Sequence, residues 1–311
     1  MVKFWLTGTE ARFYPLPRPA RAEKLQEKSE RSMMNAPKTV LCIHDLPCFG
    51  RASLSVIAPV LAAMGVQPVA LPTAVLSTHT GGLGAPAVLA DPAFGPAALE
   101  HYRRLGVTFD CIYAGYLAGP AQALLVEQAM EYWPTALKVV DPVLGDHGKL
   151  YAGITADLVG AMYTLCCRAD LILPNLTEAA LLQEAPFPTE ETAAEAALQL
   201  ADDLTQLAPQ VIVTGVPAGR NLCCVGADRD GGHFQVKTPY IPRPFHGTGD
   251  IFGAVLVGRL MRGNVPEAAA EAAARFVSEC IRATPEGADE RLGVWLETAL
   301  PLLLAGRQDE A

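Results

Sequence analysis

The sequence predicts an open, doubly wound α/β fold, with a mostly parallel central sheet flanked by helices and an antiparallel hairpin at one edge. Three observations lead there. From residue 38 onward, short β-rich runs alternate with longer helical stretches. The β-rich runs are apolar on both faces, as strands covered by helices on each side must be. The alternation breaks once, over residues 221–238, where two β-rich runs flank a turn at 228–232. The chain has 311 residues, of which 50% are hydrophobic and 18% charged, enough apolar content for a sizeable core.

In chain order, strands are expected over 39–44, 69–76, 111–116, 137–141, 171–173 and 211–214, then the hairpin strands 221–227 and 233–238. Helices are expected over 53–64, 96–105, 121–133, 156–169, 177–184 and 190–207, with 251–262, 266–283 and 292–304 closing the chain. No Asp, Glu, Lys or Arg occurs between Arg51 and Asp91. Pro59, Gly65, Pro68, Pro72, Gly81 and Gly82 interrupt that stretch, so it reads as a buried helix, a buried strand and a Gly-rich loop, not a membrane span. Residues 37–305 form the expected single α/β domain. Residues 1–36 are read as an appendage or an over-extended start, and 306–311 as a frayed tail.

Net charge is −9, which argues against a nucleic-acid partner. Seven of the 24 Lys and Arg, but only four of the 33 Asp and Glu, fall in residues 1–36, which leaves the rest at −12. Of the eight cysteines none forms a C-x-x-C pair, so neither a disulfide framework nor a zinc site is expected. Reduced, core-packing cysteines point to the cytoplasm.

In a doubly wound sheet, ligands bind at the carboxyl ends of the strands. The polar residues following the expected strands are Asp45; Ser77, His79 and Thr80; Tyr116; Asp141 and Asp146; Asn175 and Glu178; and Thr214 with Gly215. All should gather on one rim. The strongest motif is Gly247-Thr248-Gly249-Asp250, ahead of an apolar helix expected from Ile251. Two glycines allow a tight turn with N–H groups pointing into one concavity, and the helix N-terminus adds its dipole: an anion site with Asp250 at its mouth. Read alone, Asp250 could equally be an N-cap.

The run His246-Gly247-Thr248-Gly249-Asp250-Ile251-Phe252-Gly253-Ala254 resembles the C-terminal signature of the ribokinase-like superfamily. Four more segments narrow the resemblance to the pyridoxal/pyridoxamine (vitamin B6) kinases. They are residues 43–50 with Ser77-Thr78-His79-Thr80-Gly81; Ala114-Gly115-Tyr116-Leu117; Asp141-Pro142-Val143-Leu144-Gly145-Asp146 with Tyr151; and Pro174-Asn175-Leu176-Thr177-Glu178. The likeness covers residues 38–300 in the family's order.

The resemblance implies transfer of the γ-phosphoryl group of ATP to the 5′-hydroxymethyl of a B6 vitamer. Asp250 would be the base, and the amides of Gly247, Thr248, Gly249 and Asp250 the cradle for the phosphoryl oxygens. Glu178 and Asp141 would hold Mg²⁺, Asp141 also being tied to a monovalent cation such as K⁺. Asp146, Tyr151, Asn175, Thr214 and Gly215 would meet the nucleotide, and Asp45, His79, Thr80 and Tyr116 the vitamer. A first-turn helix Glu favoured by the dipole is the competing reading for Glu178, and local turn chemistry that for Asp141, Asp146, Asn175 and Thr214. Many relatives have Ser where this chain has Asp45, and a carboxylate there would favour a pyridinium ring or the amine vitamer. The resemblance also implies a homodimer. Hydroxymethylpyrimidine kinase, and a catalytically silent B6-binding protein, are the alternatives.

Overall fold

The computed structural model describes residues 36–189 and 193–305. Apart from Ala36, the expected N-terminal appendage and the tail lie outside the described residues, as does the start of the helix expected over 190–207. The chain divides after Pro37, and the second compact unit begins at Lys38.

Its sheet has nine strands. Six run parallel: β1 (Thr39–Phe49), β2 (Gln67–Thr78), β4 (Cys111–Ala114), β5 (Leu137–Val140), β8 (Leu171–Ile172) and β9 (Gln210–Ala218). At one edge β10 (Asn221–Asp228) and β11 (His233–Pro239) add the expected antiparallel hairpin; at the other, β3 (Val88–Leu89) pairs antiparallel with β2. The spatial order is β11-β10-β9-β8-β5-β4-β1-β2-β3, with β6 (Gly145–Asp146) and β7 (Lys149–Leu150) forming a separate small hairpin. The sequence does not announce β3, β6 or β7, because two-residue strands carry no period.

Alternation along each strand builds two cores. Leu41, Ile43, Ile112 and Val140 face one way, against α2 (Phe94–Leu105), α3 (Pro120–Tyr132), α4 (Ala156–Cys166), α5 (Leu176–Leu182) and α6 (Ala193–Leu204). Val40, Cys42, Cys111 and Val139 face the other, against α1 (Leu54–Ala63), α7 (Thr248–Met261), α8 (Pro266–Ala283) and α9 (Leu296–Ala305). Strands apolar on both faces are the direct result. All eight cysteines are free, and six are buried in these layers. Among the described residues no helix is long and apolar enough to cross a membrane; the charge-free stretch is α1, β2 and the loop carrying β3.

The chain leaves β1 toward β2 and then returns to β4 on β1's other side. That reversal opens a crevice at the carboxyl ends of β1 and β4. Two bulges shape the rim. Across β1 and β2, Asp45 alone opposes Thr73 and Ala74; across β9 and β10, Thr214 and Gly215 oppose Cys224, with Gly215 at φ 68°. Bulges re-aim side chains at such sites. The strand expected to end at Thr214 therefore continues through the bulge to Ala218.

Candidate active site

Asp250 lies in the first turn of α7, whose N-cap is Gly247 at φ 78°. The helix thus starts at Thr248, not at Ile251 as the sequence suggested, and Asp250 is not its cap. A side chain at 247 would be strained by the positive φ and would strike the carbonyl of Arg51. Gly249 is different: its φ is not positive and nothing lies within 4 Å of where a Cβ would stand. The protein itself does not require glycine there. The first-turn amides of Thr248, Gly249 and Asp250 are donors that an α-helix leaves without an intrahelical acceptor. The first intrahelical bond runs from the Ile251 N–H to the Gly247 carbonyl, 3.1 Å.

The part-buried Asp250 carboxylate accepts one bond through Oδ2, from the Ser53 N–H at 2.9 Å. Ser53 sits at φ 48°, a left-handed conformation that turns its amide toward α7. Burial pushes the Asp250 carboxyl up to about 7; the Ser53 amide opposes this and the nearby Asp45 charge reinforces it.

Asp45 is buried inside β1, and its Oδ1 has no hydrogen-bond partner. Burial raises its pKa, offset in part by the Ser53 side chain. Half-buried Tyr116 stands close enough that burial and then the Asp45 charge push its phenol up. Thr80 is exposed at the rim. Three further groups that sequence reasoning did not single out join this cluster. Thr73 Oγ1, both ring nitrogens of His44 and the Tyr113 hydroxyl are buried without hydrogen bonds. The His44 ring stands edge-on to Tyr113 at 4.5 Å and lies over Gly115, and burial pushes it down to about 3, so it is neutral. The Tyr113 hydroxyl lies against Gly253, one turn beyond Asp250. Nothing in the sequence separates Tyr113 from the apolar run around it, and Ser53 carries no motif.

Across the cleft, Asn175 caps α5. Its Oδ1 accepts from the amides of Thr177 and Glu178, at 2.9 and 3.0 Å, while Nδ2 donates to the Gly145 carbonyl at 2.7 Å. Glu178 completes the capping box: Oε2 accepts from the Asn175 N–H at 2.8 Å, and Oε1 from Leu144 N–H at 3.0 Å and Gly145 N–H at 3.4 Å. Glu178 thus lies in the first turn of α5, and the capping box it forms with Asn175 is a feature the sequence reading did not name. Burial and then Asp141 raise the Glu178 pKa, and burial and then Asp250 raise that of Asp141. Among those residues no three His, Cys, Asp or Glu side chains form a metal cluster. Asp146 is exposed on the β6–β7 hairpin and accepts from the His147 N–H. Tyr151, 41% exposed, follows that hairpin, and burial and then the charges of Glu178, Asp146, Asp141 and Asp250 push its phenol up. Thr214 and Gly215 form the β9 bulge, with Thr214 N–H donating to Pro174 C=O at 2.9 Å, beside Asn175.

His79, which the resemblance sets beside Thr80 as a vitamer contact, lies deeper than Thr80. It is 6% exposed, Nε2 meets the Arg291 carbonyl at 2.6 Å, and Nδ1 accepts from the Gly81 N–H at 3.1 Å.

Comparison with known proteins bears on this arrangement. The family model for phosphomethylpyrimidine kinase matches residues 56–294. A pyridoxine/pyridoxal/pyridoxamine kinase of Bordetella bronchiseptica is 32% identical over 291 residues, covering 86% of this chain and 98% of the relative. A putative phosphomethylpyrimidine kinase of Bacteroides thetaiotaomicron, solved with pyridoxal, superimposes with a TM-score of 0.81 at 35% identity, covering 86% of this chain and 96% of that one. Pyridoxal kinase of Lactobacillus plantarum gives a TM-score of 0.80 at 35% identity, covering 88% of this chain and 98% of that one. The chain belongs to the pyridoxal kinase family of the ribokinase-like superfamily.

Proposed function

We propose that residues 37–305 catalyse transfer of the γ-phosphoryl group of ATP to the 5′-hydroxymethyl group of a B6 vitamer, with Asp250 as general base. The observation that carries this reading is the placement of Asp250. Its carboxylate shares the first turn of α7 with unpaired amide donors and is tethered by a single N–H, from Ser53. Phosphoryl transfer needs little covalent chemistry from the protein, only positioning, a proton acceptor and donors for the equatorial oxygens. A carboxyl near pH 7 is ionised in enough molecules to accept the hydroxyl proton and basic enough to take it. The amides of Thr248, Gly249 and Asp250 stabilise the charge on the transferring group. The kinase names of relatives at 32–35% identity support the substrate class.

Asp45, Thr80 and Tyr116 form the vitamer side of the site. The unpartnered Asp45 Oδ1 suits a protonated ring nitrogen, which would favour a pyridinium or the amine vitamer. Asp146, Tyr151, Asn175, Thr214 and Gly215 border the nucleotide side, where Asn175 acts by shaping the loop.

A divalent cation such as Mg²⁺ fits Asp141 and Glu178: both are hard oxygen donors, and each is raised by burial next to other carboxylates. Bound there, it would neutralise negative charge on the ATP phosphates. Asp141 would ligate directly, whereas Glu178 already accepts three amides and would act through water. A monovalent cation such as K⁺ would also use Asp141. We place the protein in the cytoplasm, as a homodimer, on its thiols and its family.

ADP release from ATP in the presence of pyridoxal, pyridoxamine, pyridoxine or hydroxymethylpyrimidine tests the reading. Turnover on the B6 vitamers is expected. Turnover on hydroxymethylpyrimidine alone would favour the hydroxymethylpyrimidine kinase alternative.

A further inference from the structure

We propose that His79 is a positioning residue, not a substrate contact: its ring ties the loop after β2, through the turn at residues 290–293, to the segment that holds Asp250. The inference rests on the kinase reading only where turnover is the readout.

A carbonyl oxygen can only accept and a backbone amide can only donate. With Arg291 C=O on Nε2 and Gly81 N–H on Nδ1, the ring must be the neutral Nε2–H tautomer, with both nitrogens committed. The ring faces are closed as well. Gly50 approaches so closely that a Cβ there would stand 2.5 Å from the imidazole, and the His246 ring lies 5.2 Å away, tilted by 44°. His246 in turn covers Gly81, where a Cβ would stand 2.6 Å from it. Little of His79 is left to offer a ligand.

What it does hold is a continuous string. The residue after Arg291 is Leu292, whose carbonyl accepts from the Arg51 N–H at 3.1 Å and from Arg51 Nη1 at 3.4 Å. The Arg51 guanidinium is fixed on its other side by Glu297, at 2.9 Å. The Arg51 carbonyl packs between Gly247 and Gly293, both at positive φ. Two residues further on, the Ser53 amide holds Asp250. The vitamer-side loop and the base are thus joined through the hydrogen bonds of His79, Arg51 and Ser53 and the two glycine contacts. A misplacement of about 1 Å at a reacting group can cost on the order of a hundredfold in rate, so this coupling belongs to catalysis.

The test combines turnover with a readout independent of it. Imidazole ¹⁵N shifts of the wild-type protein at neutral pH should report the Nε2–H tautomer for His79; the Nδ1–H tautomer or an imidazolium would overturn the proposal. His79→Leu should lower kcat about tenfold or more, with the vitamer KM changed less than about twofold. His79→Gln, which keeps a donor toward Arg291, should recover much of the loss. Arg51→Ala removes the guanidinium contacts to Leu292 and Glu297 that brace the same string, so the double variant His79→Leu/Arg51→Ala should be slower than the worse single variant by less than the product of the two losses. A raised vitamer KM at unchanged kcat, or multiplying losses in the double variant, would overturn the proposal. If His79→Leu does not fold, His79→Gln and the ¹⁵N shifts still decide. If the wild type releases no ADP, the kinase reading fails alone, and the shifts with a thermal-melt double cycle still test the string.

Discussion

The two sides of the cleft treat their polar atoms differently. On the β5–β9 side, Asn175 and Glu178 are bonded to the protein at every polar atom, closing a capping box and pinning the β6–β7 hairpin. On the β1–β4 side, Asp45 Oδ1, Thr73 Oγ1, Tyr113 Oη and both nitrogens of His44 are buried with no partner. A buried polar group without a bond costs about 1–3 kcal/mol. The hydrogen-bonding capacity of Asn175 and Glu178 is therefore met by the protein, while that of the second group is left open. Such a cost is retained where the unpaired groups meet a ligand, and it separates scaffold from reactive centre better than residue type does.

The largest effect expected from this contrast is on rate. Asp250→Asn should lower kcat by roughly 10²–10⁴-fold, the usual share of a general base. It should also raise thermal stability at pH 8. The folded-state pKa of Asp250 lies above its ordinary 3.8, at about 7. Between those values the folded chain binds more protons than the unfolded one, so stability falls as pH rises through that window. The melting-temperature advantage of Asp250→Asn should thus grow between pH 5 and pH 8; a constant or reversed difference would break the contrast.

Glu178→Ala should act in the opposite sense. It strands the amides of Leu144, Gly145 and Asn175 and removes half of the capping box, which should cost about 2–4 kcal/mol in urea unfolding. A mutant as stable as wild type would show that Glu178 belongs with the strained groups.

The two glycines of the motif sharpen the comparison further. Gly247→Ala meets both positive φ and the Arg51 carbonyl, so it should lose about 1–3 kcal/mol of stability as well as activity. Gly249→Ala meets open space in the protein and replaces a helical glycine, so its stability should be unchanged or raised by up to about 1 kcal/mol. Its turnover should nonetheless fall, because the proposed mechanism passes the phosphoryl group through that space. Normal turnover in Gly249→Ala would move the cradle elsewhere.

The smallest expected effect is at Asp45. Asp45→Ser removes a buried carboxyl with one orphan oxygen, so the fold should be stabilised slightly, by about 1 kcal/mol. The ratio of kcat/KM for pyridoxamine over pyridoxal should fall. An unchanged ratio would leave Asp45 without a role in vitamer choice.

Much of this was legible in the sequence, for physical reasons. Strand runs such as 39–44 and 111–116 are apolar on both faces because Val40 and Leu41 go to different cores, and that pattern is visible without coordinates. The rim residues could be found because they follow the apolar runs, although Asp45, Thr214 and Gly215 lie within the longer strands β1 and β9. Their tasks were harder to read. Asn175-Leu176-Thr177-Glu178 has the spacing of a capping box and equally of a metal-side motif, and only the positions of Leu144 and Gly145 show how the carboxylate is engaged. His79 stands beside an exposed Thr80 in sequence, yet its partner is more than 200 residues away at Arg291. Ser53 acts through a backbone amide, which no side-chain pattern reveals. The bulges opposite Asp45 and at Thr214 depend on register between strands, a property of pairs and not of either strand alone.

Everything turns on whether Asp250, held by Ser53 at the N-terminus of α7, takes the proton from a B6 vitamer's hydroxymethyl group. The decisive measurement is the pH dependence of pyridoxal-stimulated ADP release by the wild type and Asp250→Asn. Wild-type kcat/KM should rise with pH through an apparent pKa near 7, and the residual Asp250→Asn rate should lack that limb. An Asp250→Asn enzyme that keeps the wild-type rate and the same rising limb would show that another group is the base.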